Sequence, residues 1–147
     1  QEIILDRGSS DGINQGQSVM DAYGLVGHVV EVAANSCRVL LIVDGKNAVP
    51  VQVNRTGLRA IAEGVGLQGE LRLRHVAPNA DIKEGDVLVT SGLGGRYPAG
   101  YPVAQVVSVA PDVGQPFLLI RATPTAHFNE SREFLLVLMA GQGGKLP

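Results

Sequence analysis

Residues Thr90-Ser91-Gly92-Leu93-Gly94-Gly95-Arg96-Tyr97-Pro98-Ala99-Gly100 gather hydroxyls, glycines, a guanidinium and a phenol in one short span. Three readings compete. A serine beside an oxyanion-binding glycine loop would attack an acyl group, given a histidine base and an orienting carboxylate. A glycine-rich cradle would hold a phosphate on backbone N–H groups. A long connection between strands would use glycine for positive φ and Pro98 as a fixed turn, with Thr90 and Ser91 bonding locally.

The catalytic reading is weak at each member. Ser91 has no G-x-S-x-G elbow, because position 89 is valine. His28 falls in the middle of the strand-like run LVGHVVEV, and His127 lies in the loop-like TAHFNES. A serine, a histidine and an aspartate occur together by chance in most chains of this length. The phosphate reading fails on context. TSGLGG lacks the Gly-Lys-Ser/Thr end of a P-loop. A separate GxGxxG match, Gly64 to Gly69, opens onto ELRLRHV, which alternates as a strand and not as a helix, so it reads as a hairpin loop. Metal ligation needs clustered ligands, and no HxH, HExxH or CxxC occurs. The single cysteine, Cys37, sits in CRVLLIV and reads as a small buried hydrophobe. No catalytic residue, cofactor site or metal site is assigned. A protein-binding surface remains, with Leu93, Tyr97 and Tyr101 as candidate contacts on the long connection.

Composition narrows the partners. The chain has 147 residues, 45% hydrophobic and 18% charged, with a net charge of -2. That composition expects a packed core. Lys and Arg form no stripe, which argues against nucleic acid. With no Trp, 3 Tyr and 3 Phe, stacking on bases or sugar rings has little support, and a carbohydrate-binding module is a minor alternative. No apolar run reaches the length of a membrane span. The chain starts at Gln1, so a processed or trimmed piece of a longer protein is expected.

The elements that must position these residues are strands. Runs rich in β-branched residues, bounded by Gly, Pro, Asn or Asp, predict strands at 2–5, 25–33, 37–43, 48–53, 58–62, 70–76, 86–89, 102–110, 117–123 and 133–138. No long stretch carries a helical period. In ELRLRHV, Leu71, Leu73 and His75 share one face, and Glu70, Arg72, Arg74 and Val76 the other. Pro50 predicts an edge or bulge. A faint repeat aligns INQGQSV (13–19) with IKEGDVL (82–88), and LVGHVVEV (25–32) with PVAQVVSV (102–109). Each copy reads as a turn, a short strand, a connection and a long strand. The connection is the short MDAY in one copy and the glycine-rich stretch in the other. The repeat predicts two similar β-subdomains.

The ordered motifs DRGSSDGINQGQSVMDAYGLVGHVVEVAANSCRVLLIVD (6–44), GDVLVTSGLGGRYPAGYPVAQVVSV (85–109) and FLLVL (134–138) closely resemble the extracytoplasmic β-domain of the bacterial rod-shape-determining MreC family. Cys37 and Ala104 depart from that pattern, and GQGGKLP (141–147) lies outside it as an expected disordered tail. The resemblance implies an all-β fold of two small six-stranded antiparallel barrels, trypsin-like in form but without catalysis. The first barrel is expected at 1–60, completed by 133–140 returning beside residues 2–5, and the second at 61–132. It also implies a periplasmic scaffold of the peptidoglycan elongation complex, in a protein anchored in the cytoplasmic membrane by one helix. The implied partners are itself, the elongation transpeptidase and other membrane proteins, with a link to the actin-like MreB. The alternative to the scaffold is a trypsin-like hydrolase fragment using Ser91.

Overall fold

The computed structural model describes residues 1–128 and, as backbone, 135–137. Among the described residues eleven strands are formed: β1 (Glu2–Leu5), β2 (Ser18–Asp21), β3 (Gly24–Val32), β4 (Cys37–Leu41), β5 (Ala48–Val53), β6 (Arg59–Gly64), β7 (Leu71–Val76), β8 (Val87–Thr90), β9 (Pro102–Pro111), β10 (Leu118–Pro124) and β11 (Leu135–Val137). The two helical pieces, Ser9–Asp11 and Gly66–Gln68, are single 3-10 turns. No helix among the described residues is long and apolar enough to cross a membrane.

The strands form two units. β10, β7, β6, β5, β8 and β9 close into a six-stranded antiparallel barrel, and β1, β4, β3, β2 and β11 form a five-stranded sheet in that order. The all-β class stands; among the described residues one barrel is closed and the other unit is a five-stranded sheet. β5 and β6 belong to the barrel, so the units divide at residues 42–47 and not at 60. The runs AVPVQV and LRAIA are strand-like, and nothing in their pattern says which sheet they join. β11 returns to the first unit but pairs with β2, at the edge opposite β1. Of the segment 133–140 expected beside residues 2–5, the described part, β11, stands instead at the far edge of the sheet from β1. The tail 141–147 lies outside the described residues.

The repeat is real in the backbone. Gly16 and Gly85 both have φ of 91°. Gly16 N–H donates to Val29 O and Gly85 N–H to Val106 O, each at 2.8 Å. Val29 and Val106 return hydrogen bonds to Gln17 O and Asp86 O, each at 2.9 Å. The side chains of Gln17 and Asp86 each accept from the backbone N–H three residues before, at Asn14 and Lys83. Each copy is then a hairpin, β2–β3 in the sheet and β8–β9 in the barrel.

Pro50 sits where it does no harm. Its carbonyl accepts from Ser91 N–H at 3.1 Å, just past the end of β8, so the missing donor falls outside the ladder. His75 breaks the expected alternation. It has φ of 54° beside a register shift in the β7–β10 pairing, and it is exposed while Val76 turns inward. The bulge inserts one residue and flips the remaining face.

One apolar core runs through both units, from Val19, Val26 and Val29 to Val103, Val106 and Ile120. Gly64 on β6 packs directly against the connector between them. A Cβ there would lie 2.4 Å from Val43 C and 2.3 Å from Asp44 O, both backbone atoms. Gly64→Ala is expected to lower stability by at least ~2 kcal/mol by prising the connector from the barrel. Thermal or urea unfolding of the variant checks this; an unchanged midpoint would contradict it.

Candidate functional site

The glycine-rich stretch is the connection between β8 and β9. Thr90 ties its two ends. Its N–H donates to Tyr101 O and its carbonyl accepts from Gly100 N–H, each at 2.8 Å. Its hydroxyl donates to Pro98 O and accepts from Tyr101 N–H. Ser91 Oγ accepts from Leu93 N–H at 3.2 Å, a local turn closed by a hydroxyl. Gly92, Gly94, Gly95 and Gly100 all have positive φ. The stretch is a folded loop whose hydroxyls are committed to its own backbone.

The loop then reaches across to the other unit. Tyr97 is 2% exposed, and its ring fills the junction. Its hydroxyl lies 2.8 Å from His28 Nδ1 on β3 and 3.3 Å from Asn47 Oδ1 on the connector. The other ring nitrogen of His28, Nε2, meets the Arg96 guanidinium. Arginine can only donate, so Nε2 must be the acceptor and Nδ1 must carry the proton. The polarity of the chain follows. Arg96 donates to His28, His28 Nδ1–H to Tyr97 Oη, Tyr97 O–H to Asn47 Oδ1, and Asn47 Nδ2 to Leu41 O at 3.2 Å. Ser18 Oγ on β2 adds a 3.3 Å bond to Arg96 O. Every member is satisfied, which is what makes a buried polar chain tolerable.

The electrostatics agree with that assignment. Burial, with the adjacent Arg96 charge, pushes the His28 pKa down from 6.5 to about 4. Burial likewise pushes Tyr97 up to about 12, against the opposing effect of its Asn47 bond. Neither group is poised for proton transfer near neutrality. His28 is not available to Ser91 as a base, because both of its ring nitrogens are bonded.

The three candidate contact residues part company. Leu93 is 57% exposed at the tip of the loop. Tyr101 is half-buried against the core. Tyr97 is interior, and the correction has a plain cause: its ring supplies apolar area and its hydroxyl closes a bond chain between the units. The sequence reading missed His28, Asn47 and Arg96 as its partners, since they are distant in sequence and nothing local couples them. The lone polar residue within the apolar run LVGHVV was the available signal.

Elsewhere, Arg55 pairs with Asp86 through two bonds, at 2.8 and 2.9 Å, and with Asp81 at 3.0 Å. The Arg55 bonds hold the Asp86 carboxyl below its usual range and clamp the β8 turn to the β5–β6 hairpin. Cys37 is buried, and burial raises its thiol pKa. Among the described residues no cluster of His, Cys, Asp or Glu could hold a metal ion.

Tyr97→Phe is expected to cost about 1–3 kcal/mol, because it strands His28 Nδ1–H and Asn47 Oδ1 in the interior. Equal unfolding free energies for the two proteins would contradict this. Stability is also expected to depend on pH. The unfolded chain protonates His28 near 6.5 and the folded chain only near 4. Stability is then full above about pH 6.5 and falls as pH drops towards 4, by on the order of 3 kcal/mol. Unfolding curves across that range, repeated on His28→Gln, should show the slope in the parent and a shallower one in the variant.

Comparisons with known proteins follow the same outline. The family described as "Rod shape-determining protein MreC, barrel core" matches residues 1–138. The Escherichia coli cell shape-determining protein MreC is 47% identical over 146 residues, 99% of this chain and 40% of that protein. Its Haemophilus influenzae counterpart is 44% identical over 93% of this chain and 39% of its own length. The chain thus spans about two fifths of these curated relatives. The crystal structure of MreC from Pseudomonas aeruginosa superposes with a TM-score of 0.90 at 58% identity, covering 93% of this chain and 88% of that one. The major periplasmic domain of a cell shape-determining filament MreC gives 0.68 at 27% identity, covering 86% and 78%. A complex between penicillin-binding protein PBP2 and MreC from Helicobacter pylori shares the fold, with a TM-score of 0.65 at 22% identity, covering 81% and 74%.

Proposed function

The chain belongs to the rod shape-determining MreC family, and from that premise we propose that it is a non-enzymatic scaffold domain of the peptidoglycan elongation complex. It acts on the periplasmic face of the cytoplasmic membrane, within a longer protein anchored there by a helix. It associates with further copies of itself and with the elongation transpeptidase. Through the rest of the protein it is linked to actin-like MreB.

The observation that carries this reading is the commitment of the glycine-rich stretch to structure. Thr90 and Ser91 close their own loop, and Arg96, Tyr97 and His28 join the two units. What the loop offers outward is Leu93, an apolar tip with no chemistry. A small β-domain with apolar tips and two open sheet edges recruits partners by surface, not by reaction. The Helicobacter pylori complex and the filament-forming relative support the choice of transpeptidase and self as those partners.

The test is photocrosslinking in native membranes, with a photoreactive residue at position 93 of the full-length protein. Capture of a transpeptidase and of a second copy is expected. Leu93→Glu should lower that capture severalfold without shifting the unfolding midpoint, since the side chain is exposed. Labelling of Ser91 by an active-site serine probe, or loss of a hydrolytic activity on Ser91→Ala, would overturn the scaffold reading in favour of a hydrolase.

A further inference from the structure

The outer wall of the barrel carries an open cleft of about 410 Å³, lined by Gln68, Glu70, Arg72, Leu119 and Arg121. Two of its arginines stand in an unfavourable place. Arg72 on β7 and Arg121 on β10 are direct register partners, so their side chains leave the same face of adjacent strands. Like charges at directly opposed positions destabilise a sheet. The surrounding carboxylates do not resolve this. Glu70 is bound on both oxygens by Arg121, Nε to Oε1 and Nη2 to Oε2, each at 3.0 Å. Glu63, the register partner of Arg72 on the other side, is paired with Arg74. Three arginines therefore face two engaged carboxylates. The charge left over is on Arg72, which has no direct ion pair among the described residues and meets Glu70 only at longer range. This basic point stands on a chain of net charge -2.

The geometry is that of a half-built recognition site. Glu70 is 8% exposed and fixes the Arg121 guanidinium edge-on, leaving its Nη1 donors free. Arg72 supplies a second guanidinium from the neighbouring strand, acting on Glu70 through space without a direct ion pair. Leu119 gives an aliphatic floor and Gln68 an amide at the rim. Val107, 45% exposed on β9, extends the apolar margin next to Ser108, the other register partner of Arg121. We propose that this cleft docks an acidic, aliphatic peptide segment of a protein partner, with one carboxylate held between Arg72 and Arg121 and an apolar side chain on Leu119 and Val107. A carboxylate is the ligand that planar guanidinium groups pair with best at a single negative charge. Glu70, lining the same cleft, disfavours a more highly charged phosphate. That the partner is a protein rests on the scaffold reading.

Arg72→Glu separates docking from folding. It removes the like-charge pair with Arg121 but sets a carboxylate opposite Glu63, so the two cross-strand effects offset and the unfolding midpoint should hold. The probe is the blocked peptide acetyl-Leu-Glu-Leu-Asp-Leu-amide, titrated into the isotopically labelled 147-residue chain at low ionic strength and followed by NMR. Saturable shifts are expected at the Arg72 and Arg121 side chains and at Leu119 and Ser108. They should weaken at least tenfold in Arg72→Glu and fade with added salt. The neutral peptide with Gln and Asn in place of the acids should give none. Absence of localised shifts, or equal binding by Arg72→Glu, would overturn the proposal. So would stronger binding of inorganic phosphate or of anionic phosphatidylglycerol vesicles at the same residues, since either names a different ligand. Crosslinking from position 93 in the full-length Arg72→Glu protein keeps the two ideas apart. If the peptide fails to bind while transpeptidase and self are still captured, the cleft proposal falls and the scaffold reading stands.

Discussion

The hydrogen-bond chain that runs inward from Arg96 through the buried His28 and Tyr97 to Asn47 is the constraint on which the rest of the molecule turns. It joins the β8–β9 loop to strand β3, to the connector and, through Leu41 O, to strand β4. Apolar contact alone would let an open sheet slide over a barrel wall, because dispersion and burial are not directional. A chain with fixed donor and acceptor order admits one register. Its cost if half-formed is the desolvation of a phenol, an imidazole and an amide. The glycines of the loop follow from this requirement. They let the backbone fold tightly enough for Arg96 and Tyr97 to present adjacent side chains to the far unit.

Much of this architecture is legible in the sequence, and the parts that are not have physical reasons. Strand identity follows from β-branched runs and their turn residues, and the predicted β1 and β5 limits coincide with the observed ones. The hairpin repeat was visible because its turn chemistry is local: Gly16 and Gly85 need the same left-handed backbone. Sheet membership was not visible. β5 could pair with either unit on pattern alone, and its place is decided by long-range ladders to β6 and β8. The inward turn of Val76 depends on a bulge at His75, a residue whose type gives no hint of positive φ. The role of Tyr97 was hidden for the same reason. A tyrosine in a glycine-rich loop looks like a surface residue until His28 and Asn47 are brought beneath it.

The division of labour between inside and outside follows. Groups with chemical potential are consumed by the interior or by ion pairs such as Arg55–Asp86. What faces solvent is a scatter of apolar tips, Leu93 and Val107 among them, two sheet edges and the Arg72–Arg121 wall.

The most direct measurement is the protonation state of His28, read from the ring nitrogen shifts by two-dimensional NMR as a function of pH. A neutral ring protonated on Nδ1, with Nε2 unprotonated and hydrogen-bonded, persisting down to about pH 4, is the result expected of the buried chain. A ring protonated on Nε2, or one that titrates near 6.5, would show that Arg96 does not donate to it and that the two units are not locked together in this way.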